Sequence, residues 1–190
     1  YSVALDLGTT NLVALLYDNI ARTDVLTRTL ENPQIEYGSD ILTRMHHAMS
    51  TRRDEVYRAL LTGINSLIRD LCKEAGIGNH EIHAVTAAGN TVMSHFFLGL
   101  DISTIPVAPF VPVVRTPGFF TASELSLDIN PEAAVYVFPN AGSYVGGDIT
   151  AGILASGMFR SGKTSVLIDV GTNAEVVIGN REWMIVGAGA

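Results

Sequence analysis

The sequence predicts an α/β fold in which a β-β-β-α-β-α-β-α unit is followed by the first three strands of a second, truncated copy. Two apolar strands end in nearly identical turns, Asp6-Leu7-Gly8-Thr9-Thr10-Asn11 and Asp169-Val170-Gly171-Thr172-Asn173. Strand-like and helical apolar patterns alternate between these turns, as they do in α/β proteins. The chain is 47% hydrophobic and 16% charged, a composition that requires a large buried core.

The first unit opens with three strand patterns. Apolar runs at 3–5 and 12–16 flank the first polar turn, which indicates a hairpin. A third strand is expected at 24–30. The pair Asn32-Pro33 then interrupts the pattern, because the residue before a proline is conformationally restricted.

Helices and strands alternate over the rest of this unit. The predicted elements are, in chain order, a helix at 39–49, a helix capped by Thr51 and ended by Gly76, a strand at 82–86, a helix at 90–98, a strand at 134–138 and a helix at 147–158. Asn90 is the predicted N-cap of the helix at 90–98; a ligand contact is possible there, but capping explains the residue. The region 103–131 is expected to be irregular, with one short helix at 123–127. Together these elements predict a first lobe over residues 1–160.

The last thirty residues restart the pattern. Strands are predicted at 165–169, 175–178 and 183–187, and the first of them carries the second Asp-Gly-Thr turn. Residues 161–190 are therefore expected to begin a second lobe that is truncated. Both chain ends lie in or next to strand-like runs, so we expect the chain to be a fragment.

Composition excludes several classes of function. The net charge is −7 and basic residues are scattered, which argues against a nucleic-acid partner. No apolar run approaches the roughly 18 residues that span a bilayer, which argues against a membrane partner. The single cysteine, Cys72, excludes an intramolecular disulfide and is expected to be a buried thiol. A cytoplasmic location is consistent with all of this.

The two turns are suited to binding phosphate. Glycine lets a backbone N–H approach an anion closely, and consecutive turn amides form an anion-binding concavity. The predicted phosphate contacts are Gly8, Thr9, Thr10, Asn11, Gly171, Thr172 and Asn173. Asp6 and Asp169 would repel phosphate directly, so we expect them to hold Mg²⁺, mostly through its waters, or to orient an attacking water. One such turn alone is usually a simple hairpin; two in a duplicated unit favour a polyphosphate clamp.

Asp148 is a third candidate carboxylate. It follows Gly146-Gly147 at the start of a predicted helix, where an acidic side chain also favours the helix dipole. Capping alone would explain it. Between two phosphate turns, however, it becomes a candidate Mg²⁺ ligand or general base.

Residues 157–164 match the spelling of a Walker A loop. That motif requires a strand before the loop and a helix after it, so that the helix N-terminus meets the phosphates. Here the predicted order is the reverse. We therefore interpret this stretch as a helix end and a tight connection.

At 6–11, 147–148 and 169–173 the sequence resembles the phosphate-1, connect-1 and phosphate-2 motifs of the actin, sugar kinase and heat-shock ATPase superfamily. More narrowly, the chain resembles the ATPase region of the reductive activators of corrinoid proteins. The stretches that carry this resemblance are 32–44, 89–95, 145–148 and 168–175.

The resemblance implies a two-lobed ribonuclease-H-like fold with ATP and Mg²⁺ in the cleft. It also implies an Mg-dependent ATPase in the parent protein, which delivers an electron to a Co(II) corrinoid protein. Whether the fragment is itself an enzyme is left open. A 2Fe-2S cluster would lie in an N-terminal part, and an adenosine-binding loop would lie further along; neither is in this chain. A homodimer stays open.

Two alternatives remain. A small-molecule kinase of the same superfamily would use Asp148 as the base that takes a hydroxyl proton. A nucleotide-gated scaffold or assembly module would use ATP only to set the geometry of the lobes, without significant turnover.

Overall fold

The computed structural model describes residues 1–50, 53–171 and 173–189, so the predicted roles of Thr51 and Thr172 lie outside the described residues. The described strands are β1 (Ser2–Leu7), β2 (Asn11–Asp18), β3 (Thr23–Glu31), β4 (Ala84–Gly89), β5 (Gly118–Thr121), β6 (Ala134–Val137), β7 (Ser165–Val170), β8 (Ala174–Gly179) and β9 (Met184–Gly189). The described α-helices are α1 (Ile41–Met49), α2 (Arg53–Ala75), α3 (Thr91–Phe97) and α4 (Gly147–Ser156). Short 3-10 helices lie at Pro33–Tyr37, Asn79–Glu81 and Met158–Arg160.

The strands form a six-stranded mixed sheet and a three-stranded antiparallel sheet. The large sheet has the order β3-β2-β1-β4-β6-β5, and the small one has the order β7-β8-β9. In the large sheet β1, β4 and β6 run parallel, while β2, β3 and β5 run antiparallel to their neighbours. The carboxyl ends of the three parallel strands therefore meet at one edge of the sheet.

The core of the large sheet is built on the alternation that the sequence shows. Every second residue of β1 and β2 is buried, which places Leu5, Leu7, Leu12 and Ala14 on the same side of the sheet. The apolar stripe of α2 packs into the same core. Its buried hydrophobic residues are Val56, Leu60, Ile64, Leu67, Ile68, Leu71 and Cys72. The prediction of a buried thiol is confirmed.

A second, smaller cluster joins α4 to the small sheet. Ile149, Met158 and Val177 are buried together, and Leu167 of β7 packs against Gly152 of α4. An added Cβ at Gly152 would lie 3.1 Å from the Leu167 side chain, so the glycine permits this close approach. α4 thus fixes the position of the β7–β8 hairpin next to the large sheet.

The region 103–131 differs from the prediction in two ways. A four-residue strand, β5, lies within it and pairs with β6. The strand is too short for a period-two pattern and is stabilised by tertiary contacts, including Phe119 against Tyr136 at 4.9 Å between ring centroids. The predicted helix at 123–127 is wrong, because Ser126 has a φ of 55° and turns the chain there.

The stretch 157–164 is not a Walker A loop. Gly157 ends α4 in the left-handed conformation with a φ of 68°, and strand β7 follows at Ser165. The required helix after the loop is replaced by a strand, as the sequence predicted.

Among the described helices, none has both the length and the apolar character needed to cross a membrane.

Candidate functional site

A cavity of about 360 Å³ lies where the carboxyl ends of β1 and β4 face the β7–β8 hairpin. Residues of both Asp-Gly turns and of α4 reach it, although these segments are far apart in sequence. Its lining comprises Asp6, Leu7, Gly8, Thr9, Ala88, Asn90, Asp148, Ala151, Asp169, Gly171, Asn173 and Glu175. The structure therefore brings seven of the sequence-predicted site residues into one cleft.

The first turn is fixed by close backbone packing. An added Cβ at Gly8 would lie 2.2 Å from the carbonyl oxygen of Asn11, so no larger residue fits this turn without movement. The buried side chain of Asn32 donates through Nδ2 to the Gly8 carbonyl oxygen at 2.8 Å. The Asn32 backbone N–H donates to the carbonyl oxygen of Thr10, also at 2.8 Å. The end of β3 thus holds both sides of the turn.

The β4–α3 junction holds the same turn from the other side. Leu7 and Gly89 are partners in the parallel β1–β4 ladder, so Asn90 follows directly beside the turn. Its Oδ1 accepts a hydrogen bond from the Met93 N–H at 3.0 Å, which confirms the predicted N-cap of α3. Its Nδ2 donates to the hydroxyl oxygen of Thr9 at 2.9 Å.

The second turn occupies the equivalent place in its own hairpin. Asp169 is the next-to-last residue of β7, as Asp6 is of β1, and each strand pairs antiparallel with the strand that follows. The Gly171 N–H donates to the carbonyl oxygen of Asn173 at 2.8 Å. In the β7–β8 ladder Asp169 lies directly opposite Glu175, so both side chains project from the same face.

Asp148 reaches the cleft because two glycines let α4 begin close to β4. An added Cβ at Gly146 would lie 2.4 Å from the Cα of Asn90, and one at Gly147 would lie 3.0 Å from the Cβ of Phe138. Asp148 is in the first turn of α4, and its Oδ1 accepts the Ile149 N–H at 2.7 Å. The N-cap position itself is Gly146, which has no side chain to cap the helix. Asp148 is therefore not the N-cap residue, but it satisfies one first-turn N–H of α4 while it lines the cleft.

The ionisable residues that line the described part of the cavity are all acidic. Burial, together with the nearby carboxylates of Asp148 and Asp169, raises the pKa of Asp6 to about 6. Burial also raises the pKa of Asp148. The hydrogen bond from the Ile149 N–H lowers this pKa in part, and the nearby Asp169 carboxylate raises it. The pKa of Glu175 is raised by burial and by its two aspartate neighbours. Such a cluster favours either bound protons or a bound cation.

Within the described chain, no group of three His, Cys, Asp or Glu side chains is close enough to hold a metal ion directly. The carboxylates of Asp6, Asp148 and Asp169 instead surround a cavity with room for several waters. Mg²⁺ dehydrates reluctantly and usually keeps part of its water shell, so this donor set fits a hydrated Mg²⁺ better than a fully dehydrated ion.

Sequence reasoning missed parts of the site and placed others differently. Thr10 and Asn11 were expected at the phosphates but do not line the cavity. Glu175 was not singled out, although its cross-strand position opposite Asp169 could have been inferred from a hairpin register. Asn90 is predicted mainly as a helix cap, and the structure confirms that role. Its amide N–H₂ also donates to Thr9 in the first turn.

Comparison with known proteins covers the whole chain. Residues 1–161 match the family described as "RACo middle region", and residues 163–190 match the family described as "C-terminal domain of RACo the ASKHA domain". The chain is 32% identical over 192 residues to the corrinoid activation enzyme RamQ of Eubacterium limosum. That alignment covers 100% of this chain and 32% of RamQ.

Solved structures show the same relationship. A reductive activator for corrinoid, iron-sulfur protein superimposes with a TM-score of 0.96 at 38% identity, over 98% of this chain and 30% of that one. A putative 2-dehydro-3-deoxygalactonokinase from Sinorhizobium meliloti superimposes with a TM-score of 0.50 at 9% identity, over 99% of this chain and 53% of that one. The second match shows a shared fold only. The chain spans about a third of the length of the activators that it resembles.

Proposed function

Since this chain belongs to the RACo family, we propose that it forms the phosphate-binding part of an ATPase that couples ATP hydrolysis to the reductive activation of a Co(II) corrinoid protein. The observation that carries the proposal is the meeting of both Asp-Gly turns and Asp148 in one cleft. A single hairpin turn needs no partner, whereas two facing turns can enclose a polyphosphate from opposite sides.

Electrostatics supports a metal-bound nucleotide. A cavity whose described ionisable groups are all carboxylates repels a bare triphosphate. Mg²⁺ supplies the missing positive charge, bridges phosphate oxygens and neutralises the charge that develops on phosphoryl transfer. Asp6, Asp148 and Asp169 would hold the hydrated ion through its waters, and the carboxylate nearest the attacking water would orient it. In this proposal Glu175 joins them as a fourth carboxylate.

The phosphates would be held by the turns. Gly8 offers a backbone N–H without a side chain in the way, and Thr9 and Asn173 add polar side chains at the cavity wall. Gly171 lets a phosphate approach closely because it has no side chain, although its own N–H donates to the Asn173 carbonyl oxygen. The phosphate contacts of Thr10, Asn11 and Thr172 stay predictions.

The strand order supports the proposed ribonuclease-H-like layout. Three antiparallel strands, β1 to β3, are followed by parallel β4 and β6 in the order β3-β2-β1-β4-β6. The β7–β9 meander repeats the first three strands of this pattern. We propose a first lobe at 1–160 and the start of a second at 161–190, a division supported by the two matched ranges.

The electron-transfer role belongs to the whole protein. RamQ is named a corrinoid activation enzyme, and the superimposed structure is named an activator for a corrinoid, iron-sulfur protein. By this relationship, a 2Fe-2S cluster and the adenosine pocket would lie in parts of the protein outside this chain. A corrinoid protein would be the partner, and its Co(II) would receive the electron. A cytoplasmic location and a homodimer stay predictions.

The test uses the full-length protein with MgATP. ATP hydrolysis is measured with and without a Co(II) corrinoid protein, in the wild type and in the Asp6→Ala and Asp169→Ala variants. We expect hydrolysis to require both aspartates and to increase with the corrinoid partner. Unchanged turnover in both variants would reject the site, whereas turnover that ignores the corrinoid protein would reject only its assigned substrate.

A second cavity favours one alternative, a small-molecule kinase. It has a volume of about 640 Å³, has mostly apolar walls, and shares Thr9, Asn90, Asn173 and Glu175 with the carboxylate cleft. A substrate bound there would lie beside the phosphates, and Asp148 could take its hydroxyl proton. ADP release that depends on an added sugar or hydroxy acid, rather than on a corrinoid protein, would favour this function.

A further inference from the structure

The side chain of Asn90 connects a helix N-terminus to the first phosphate turn. Its Oδ1 accepts the Met93 N–H at 3.0 Å, and its Nδ2 donates to Thr9 Oγ1 at 2.9 Å. A backbone N–H can only donate, so Met93 fixes which end of the Asn90 amide is oxygen. The nitrogen must then face Thr9. The direction of the second hydrogen bond is therefore determined by the first.

The direction of the Asn90–Thr9 hydrogen bond determines whether the Thr9 hydroxyl acts as a donor or an acceptor toward the cleft. An amide N–H₂ cannot accept, so Thr9 Oγ1 is the acceptor in this bond and keeps its own hydrogen for another partner. Thr9 lines the cleft, and no further hydrogen bond of its side chain occurs among residues 1–50, 53–171 and 173–189. The hydroxyl hydrogen is thus available toward the cavity. A hydroxyl group can otherwise donate or accept, and only a donor recognises a phosphate oxygen.

We propose that Asn90 is a positioning residue that makes Thr9 an obligatory hydrogen-bond donor to an anionic oxygen in the cleft. This inference rests on the proposed function, because it names the polarity of one phosphate contact in the ATP site. In this proposal Asn90, which also lines the cleft, acts on the anion through Thr9.

Asn32 contacts the same turn in a similar way: its amide oxygen accepts from a helix start and its amide nitrogen donates to the turn. Unlike Asn90, it does not orient a hydroxyl group. Its Oδ1 accepts the Gln34 N–H at 3.0 Å at the start of a 3-10 helix, and its Nδ2 donates to the Gly8 carbonyl oxygen. A carbonyl oxygen has no hydrogen to direct. Asn32 therefore fixes the position of the turn, whereas Asn90 also selects what the turn can bind.

The experiment is a double-mutant cycle in the full-length protein, with MgATP affinity measured by calorimetry. Thr9→Val removes the hydroxyl at nearly constant shape. Asn90→Ser keeps a cap for α3 but is too short to reach Thr9. Thr9→Ser keeps the hydroxyl and serves as the matched control. Thermal unfolding of each variant, and the affinity for adenosine, separate the loss of a phosphate contact from a folding defect.

We expect Thr9→Val to weaken MgATP binding by about 10-fold or more, since the hydrogen bond is made to a charged group. Asn90→Ser should weaken it by about 3- to 10-fold, and the double variant should be no weaker than Thr9→Val alone to within about 2-fold. Asn90→Asp should lose more affinity than Asn90→Ser, because a carboxylate accepts the Thr9 hydrogen and withdraws it from the cleft. Thr9→Ser should retain wild-type affinity.

Two outcomes overturn the inference in different ways. If the wild type binds MgATP and the effects of Asn90→Ser and Thr9→Val simply add, Asn90 does not act through Thr9, and the proposed ATP site stands. If the wild type does not bind MgATP, the proposed function fails and the inference fails with it.

Discussion

The fully buried side chain of Asn32 donates a hydrogen bond of 2.8 Å to the carbonyl oxygen of Gly8. Gly8 follows β1 and Asn32 follows β3, so this bond joins the end of the third strand to the turn after the first. It fixes the depth at which the turn presents its backbone to the cleft. The strength of this bond can be tested directly.

Asn32→Asp is expected to destabilise the protein by about 2–4 kcal/mol, because it places a buried carboxylate oxygen against the Gly8 carbonyl oxygen. Urea unfolding measures the change. Asn79→Asp is the matched control, since Asn79 also donates through Nδ2 to a carbonyl oxygen, that of Asp128, but in contact with solvent. Its effect should stay within about 1 kcal/mol. Equal effects of the two substitutions would contradict the role of Asn32.

The two turn glycines should respond differently to alanine. The Cβ of Gly8→Ala would lie 2.2 Å from the Asn11 carbonyl oxygen, whereas the nearest atom to a Cβ at Gly171 is 3.8 Å away. We expect Gly8→Ala to cost about 1–3 kcal/mol through forced movement of the turn. Gly171→Ala should change the free energy of unfolding by no more than about 0.5 kcal/mol. Comparable melting temperatures for the two variants would be inconsistent with this geometry.

Asp6→Asn is expected to stabilise the apo protein at pH 8 but not at pH 4. The pKa of Asp6 is raised from 3.8 to about 6, so the folded state binds its proton more tightly than the unfolded state does. Stability from this group is present below pH 4 and is lost as the pH rises through about 6. A neutral amide avoids that loss. The variant should nevertheless lose ATP hydrolysis.

Asp18→Asn is the control for the sign of this effect. The backbone N–H groups of Ala21 and Ile20 lower the pKa of Asp18, so its charged form is favoured in the folded state. Replacing it by a neutral amide should not stabilise the protein at pH 8. An increase in melting temperature at pH 8 for both variants would mean that general charge reduction, rather than the cleft, is responsible.

Binding of Mg²⁺ to the full-length protein is expected to release protons near pH 6 and fewer at pH 8. Asp6, Asp148 and Glu175 all have raised pKa values, and a bound cation favours their ionised forms. Calorimetry in two buffers of different ionisation enthalpy counts the released protons. Asp6→Asn should reduce the number at pH 6. A wild-type protein that binds Mg²⁺ without releasing protons at pH 6 would place the ion elsewhere.

Glu175→Gln tests the carboxylate that sequence reasoning missed. We expect the substitution to slow MgATP hydrolysis by about 10-fold or more while changing MgATP affinity less, because it removes a charge near the reacting phosphate and keeps the shape of the side chain. Glu182→Gln is the matched control: that side chain is 75% exposed at the β8–β9 turn and lies 3.8 Å from Arg181. Equal rates for wild type and Glu175→Gln would exclude a role of the Glu175 charge in hydrolysis.

The local structure of this protein follows from short stretches of its sequence. Strand alternation, the Asp-Gly turns and the N-cap of α3 by Asn90 depend on neighbouring residues, so they can be predicted from short stretches. The same is true of the reversed order around 157–164, which excluded a Walker A loop. The edge strand β5 escaped prediction because four residues carry too little pattern, and only its pairing with β6 defines it.

Which of the predicted residues share the cleft depends on long-range packing. Thr9 faces it and its neighbour Thr10 does not line it, a difference set by how Asn32 and Asn90 hold the turn. Glu175 enters because the register of the β7–β8 hairpin places it opposite Asp169. The raised pKa of Asp6 likewise requires burial and two carboxylates that are distant in sequence. Local chemistry selects the turn residues, but the pairing of strands and the packing of α4 determine where their side chains meet.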